Sequence, residues 1–176
     1  MVTFRLTAKL AKAAKLPLPS GASAGSSGEL GDWFATLVRV QGGNYIIAIS
    51  AVTLLPAVMR GQDTHNFAAR FPAELAAVLA ALHVPKARIT RECAHYAKPV
   101  AYAATADRSS VGVLNDMVRM FKYEIADAGV PLTYVSLRLA CTPIVARNIF
   151  PNGATCKMFG APKPESVMPW SWRDRA

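Results

Sequence analysis

A chain of 176 residues can bury a core of its own but is too short for two full domains, and 52% hydrophobic against 18% charged residues exclude disorder for most of it. Twenty Lys and Arg against eleven Asp and Glu leave a net charge of +9, which attracts polyanions without bearing on fold. No apolar run reaches a membrane span, because Ser50, Thr53 and Pro56 interrupt residues 45–59, and Lys9, Lys12 and Lys15 break the apolar stretch of a signal peptide, so a cytoplasmic protein without a membrane partner is expected.

Residues 2–6 alternate as a short strand, and Thr7 is placed to cap a helix through Lys15 that ends before Pro17. Lys9, Lys12 and Lys15 share one broad face, either a strip laid against phosphates or an ordinary solvated surface. Residues 17–28 are rich in Pro, Gly, Ser and Ala and form a loop. Two β-prone runs, 32–40 and 45–50, flank the turn Gln41-Gly42-Gly43-Asn44 and predict a hairpin. A third strand over 53–59 contains Pro56, which confines it to an edge or a bulge. Trp33 is expected as a core anchor ahead of a base-stacking platform.

Residues 63–66 are a polar turn, and 71–82 carry Leu75, Val78, Leu79 and Leu82 at the spacing of a buried helical stripe that Pro85 ends. Residues 89–102 are equivocal: Lys98-Pro99 argues against a long helix, and 100–103 resembles a strand. Cys93, Cys141 and Cys156 lack a C-x-x-C pair, and His65, His83 and His95 lack ligand companions, so no disulfide framework, metal or cofactor is expected.

The strongest local signal runs from Thr105 to Asp116. Asp107 or Ser109 can cap a long helix, and Leu114, Met117, Phe121 and Ile125 then recur on one face. Arg108, Ser109 and Ser110 collect with the free amides at its positive end, which suits a phosphate or carboxylate. Together with Asn115, Arg119, Lys9 and Lys12 they are the candidate nucleic-acid or anion site. In an ordinary domain Asn115 and Asp116 would instead bond a neighbouring loop while Arg108 pairs with an acid. After Gly129 and Pro131, residues 132–139 alternate as a strand, with Tyr134, Ser136 and Arg138 on one face and Val135, Leu137 and Leu139 on the other.

Residues 1–149 are thus expected to form a single α+β domain, ordered β-α-β-β-β-α-β-α-β: an antiparallel sheet of about four to six strands with the two main helices, 71–82 and 111–127, on one face. Residues 150–176, with Asn152-Gly153 and several prolines, are expected to be an irregular tail packed on the domain or a partner. Its Trp170, Trp172 and Arg173 are candidate partner-binding residues.

Arg5-Leu6-Thr7 with Lys9-Leu10, Leu30-Gly31-Asp32-Trp33, Thr53-Leu54-Leu55-Pro56, Arg108-Ser109-x-x-Gly112 with Asn115-Asp116, and Ser136-Leu137-Arg138-Leu139-Ala140-x-Thr142-Pro143 stand in an order that resembles the DUF6933 family over roughly residues 3–143. The resemblance implies a compact bacterial α+β domain and carries no chemistry with it. The family's usual form has Asn at the position of Asp107, so this chain adds a negative charge beside the helix start.

No G-x-S-x-G elbow is present, and Gly25-Ser26-Ser27-Gly28 lacks the lysine and the strand-to-helix context of a phosphate loop. Nothing brings Asp107 and Asp116 together as a metal-binding pair. The expected function is a non-catalytic basic binding protein that engages nucleic acid or a nucleoprotein in a bacterial, phage or mobile-element setting, including inhibition in defence or counter-defence. One alternative is a metal-independent, toxin-like ribonuclease centred on Arg108, with Arg119, His95 or Tyr123. Another is a protein-interaction module acting through its tail, on a protein partner or a second copy of itself.

Overall fold

A computed structural model describes residues 1–18, 26–105, 107–125 and 129–164. The hairpin signal is realised as β2 and β3 of a sheet whose strands are β1 (Thr3–Leu6), β2 (Trp33–Val40), β3 (Gly43–Ser50), β4 (Pro56–Arg60) and β5 (Ala101–Ala104), in the order β4-β3-β2-β1-β5. Gln41 and Gly42 both take positive φ, 49° and 76°, the mirror-image turn that matches the twist of paired strands. The long β2/β3 ladder and the β3/β4 ladder are antiparallel, whereas β1 lies parallel to both β2 and β5. The sheet is therefore mixed and mostly antiparallel. Pro56 opens edge strand β4, where its missing N–H breaks no central ladder.

Alternation along β2 and β3 divides the core in two. Phe4, Leu6, Trp33, Ala35, Ile46 and Ala48 face a layer containing α1 (Ala8–Ala14) and α2 (Phe67–Ala81), and α3 (Lys86–Ala94) packs against α2. Phe34, Val38, Ile47, Ile49 and Val58 face α4 (Arg108–Glu124) through Leu114, Met117 and Phe121. The expectation that the two main helices share one face is thus corrected: α2 and α4 lie on opposite faces. The run Tyr45-Ile46-Ile47-Ala48-Ile49 is buried on both sides, and such a strand needs a cover on each. Trp33 is a core residue, fully buried with its ring edge-on to Phe71 at 4.7 Å.

Thr7 stands just before α1, but its hydroxyl bonds that of Thr36 at 3.0 Å instead of capping the helix. The start of α2 precedes the expected residue 71 because Phe67, like Phe71, packs edge-on against Phe4 at 5.1 Å. The equivocal stretch resolves into α3, a short 3-10 turn at His95–Ala97, and β5.

Two further expectations are corrected. Residues 132–139 are not a strand: Leu132–Ala140 form helix α5, which runs beside β4 and touches both α2 and α4. Within the tail assigned to 150–176, Pro151–Phe159 form helix α6, with Pro151 in its first turn and Gly160 reversing the chain at φ 65°. Residues 165–176 lie outside the described residues, and with them Trp170, Trp172 and Arg173. Among the described residues no helix is long and apolar enough to cross a membrane.

Candidate functional site

Helix α4 begins where the chain leaves β5, and Asp107 is its cap: the carboxylate accepts from the amides of Ser109 at 3.0 Å and Ser110 at 3.2 Å, and from the Ser110 hydroxyl. These bonds hold the Asp107 carboxyl below its ordinary range, the Ser110 hydroxyl contributing most, then the two amides and the guanidinium of Arg147. Arg147 lies 3.6 Å from Asp107 and donates to the Ser109 hydroxyl at 3.0 Å. It is carried by a 3-10 turn, Val145–Arg147, enclosed by mutual bonds between Ile144 and Ile149. Asp107 and Arg147 thereby tie this loop to the start of α4.

Between them lies a groove of about 650 Å³. One wall is the α4 surface at Arg108, Gly112, Asp116 and Met120, and the other is Thr142 to Ala146. Gly112 opens it, since a Cβ built there would meet no atom of the described residues within 4 Å beyond its own stretch of helix. Val145 is 86% exposed, and Met120, Pro143 and Ile144 continue the apolar lining. Arg108 makes no hydrogen bond or ion pair among the described residues, while Asp116 is matched by Arg119 at 3.3 Å.

Of the candidate residues, Arg108, Ser109, Asn115 and Arg119 lie exposed along α4. Ser110 does not join them, being 3% exposed with its hydroxyl on Asp107. Two of the amides expected to be free at the tip, those of Ser109 and Ser110, donate to the chain's own carboxylate. Lys9 and Lys12 project from α1, in the α2 layer on the far side of the sheet, so they are not brought to α4. His95 follows α3 in that same layer, and its Nδ1 lies 3.1 Å from the Ser27 hydroxyl. Arg119 and Tyr123 lie about 16 and 22 Å along the helix from Arg108 at the usual rise per residue. Arg108, His95, Arg119 and Tyr123 are not gathered into one catalytic cluster.

A smaller cavity of about 260 Å³ lies between the start of α2 and edge strand β5, lined in part by His65, Lys98 and Tyr102. It contains none of the candidate nucleic-acid, anion or partner-binding residues singled out in the sequence. The apolar wall at Ile144 to Ala146 escaped notice there, although the neighbouring Thr142-Pro143 belonged to the family-like pattern. Among the described residues no three His, Cys, Asp or Glu side chains are grouped to hold a metal ion.

Fold and groove together define a small mixed α+β domain with a long self-capped helix forming one side of an open, largely apolar cleft. The chain belongs to the DUF6933 family, a domain of unknown function, whose family model matches residues 3–153. That span includes the whole sheet and both walls of the groove. No curated protein and no solved structure matches the chain.

Proposed function

We propose that this domain is a non-catalytic binding protein that docks another macromolecule in the groove between α4 and Thr142 to Ala146. One observation carries the proposal. Two separate stretches of the family-like pattern meet at this groove, one along Arg108, Ser109, Gly112 and Asp116 and the other at its end, Thr142 and Pro143, and the exposed lining is mainly apolar. Apolar surface left open to water beside a few polar groups suits a protein partner better than a phosphate backbone. The test is a photo-reactive residue in place of Val145, with a control in place of Val52, which is 52% exposed at the β3–β4 turn. The expected result is a protein adduct formed at 145, absent at 52 and lost with Gly112→Trp. Equal adducts at both positions would remove the groove from consideration.

A second proposal, engagement of nucleic acid or a nucleoprotein, draws on the net charge of +9. It is favoured if labelled RNA or DNA binds with an affinity that collapses as salt rises and that depends on Arg108. A ribonuclease receives no support from the arrangement of its candidate residues.

A further inference from the structure

We infer that the groove receives a helical segment of an acidic partner protein, which seats an apolar side chain over Gly112 and sets a carboxylate against Arg108. This rests on the groove being the docking site, and adds the chemistry of what enters it.

Gly112 is the first observation. It lies inside a 17-residue helix, exposed, with open space where a side chain would stand. Glycine is the poorest helix former after proline, and nothing among the described residues requires its small size there. A close approach from outside gives its absence of a side chain a physical reason. Arg108, Gly112, Asp116 and Met120 are spaced four apart, so they form one ridge along α4, and Gly112 is a notch in it. A second helix packs by placing a side chain into such a notch. Val145, almost fully exposed on the facing wall, would cover that side chain from the other side.

Charge is the second observation. Asp107 and Asp116 are matched by Arg147 and Arg119, whereas Arg108 at the groove has no such partner among the described residues. The unmatched charge is positive, on a chain of net +9, so the complementary segment is acidic. Phosphate would also answer Arg108, but the helix amides that would hold it are bonded to Asp107.

The test uses the full chain as bait for a displayed library of randomised helical peptides. Enriched peptides are expected to carry a Leu, Ile, Met or Phe with an Asp or Glu about one turn away. Gly112→Ala is expected to keep or raise the melting temperature while weakening the selected peptides about tenfold, and Gly112→Leu to abolish them. Arg108→Gln is expected to erase the preference for acidic over basic peptides. Enrichment of basic peptides, binding indifferent to Gly112→Leu, or no enrichment would overturn the inference. So would enrichment only of sequences like the chain's own Val167-Met168-Pro169-Trp170-Ser171-Trp172, which would assign the groove to the tail, or displacement of every peptide by a single-stranded oligonucleotide. Adducts at position 145 together with peptides blind to Gly112→Leu would sink this inference alone. Failure of both experiments would remove the groove as a docking site altogether.

Discussion

Asp107 decides what the start of α4 can bind. Its carboxylate takes the two amides and the hydroxyl that a phosphate would otherwise have engaged, and brings Arg147 across from the facing loop. Asp107→Ala is expected to lower stability by about 1 kcal/mol at neutral pH, the usual effect of losing a helix cap. Because the folded carboxyl titrates below its ordinary value of 3.8, its contribution is complete above that value and is lost as pH falls through the lower one. Urea denaturation of both proteins should therefore show a gap that is constant above about pH 5 and closes below it. Asp107→Asn should retain part of the cap, since an amide oxygen also accepts. Gly112 gives the opposite sign. With no neighbour to meet a new methyl, Gly112→Ala should raise stability by roughly 0.5–1 kcal/mol, measured in the same assay. A loss instead would mean that α4 is strained there in a way its geometry does not reveal.

At the scale of elements, α5 shows why part of the fold was hidden in the sequence. Val135, Leu137 and Leu139 alternate as in a strand, yet Ser136 and Ala140 are buried as well, because α5 is wedged among β4, α2 and α4. A helix covered on nearly all sides loses the one-sided stripe that reveals it. Helix α6 was missed for a related reason: its buried face, Pro151, Asn152, Thr155, Cys156 and Phe159, has helical spacing but includes polar residues. Hairpin and α4 were legible because their signals, a positive-φ turn and a capped amphipathic stripe, are local. One wall of the groove was legible with α4, but the other depends on how the chain returns after α5, which no local pattern encodes. The wedge also protects the sheet edge. Ser136 accepts from the Val58 amide at 3.0 Å and donates to the Leu132 carbonyl at 2.9 Å, so edge strand β4 does not present that N–H to a neighbour. Ser136→Ala would leave the amide buried without a partner, and a loss of about 1–3 kcal/mol is expected. Hydrogen exchange at Val58 should accelerate by more than the change in global stability accounts for. Unchanged protection would show that water reaches this edge.

For the molecule as a whole, the sheet that separates α1 from α4 also divides its positive charge. Lys9 and Lys12 stand on the layer of α1 and α2, while Arg108, Arg119 and Lys122 stand on α4, so the charge of +9 is not gathered on one binding face. Such a field attracts polyanions weakly and from several directions, whereas the groove is a single place with largely apolar walls. These two properties separate by salt. If nucleic acid is held by diffuse charge, its affinity should fall by orders of magnitude between 50 and 200 mM salt for about six phosphate contacts. The double variants Lys9→Glu with Lys12→Glu, and Arg119→Glu with Lys122→Glu, should then weaken it to a similar degree. A protein segment seated by apolar contact should keep most of its affinity at roughly 1 M salt, where screening acts within about 3 Å. That binding should respond to Gly112→Leu and be indifferent to the α1 reversal, whereas reversal of Arg119 and Lys122, which unpairs Asp116 in the groove wall, should weaken an acidic segment. Nucleic-acid binding that vanishes with Arg108→Ala alone and ignores the α1 variants would instead make the α4 face a dedicated nucleic-acid site, and protein docking would have to give way.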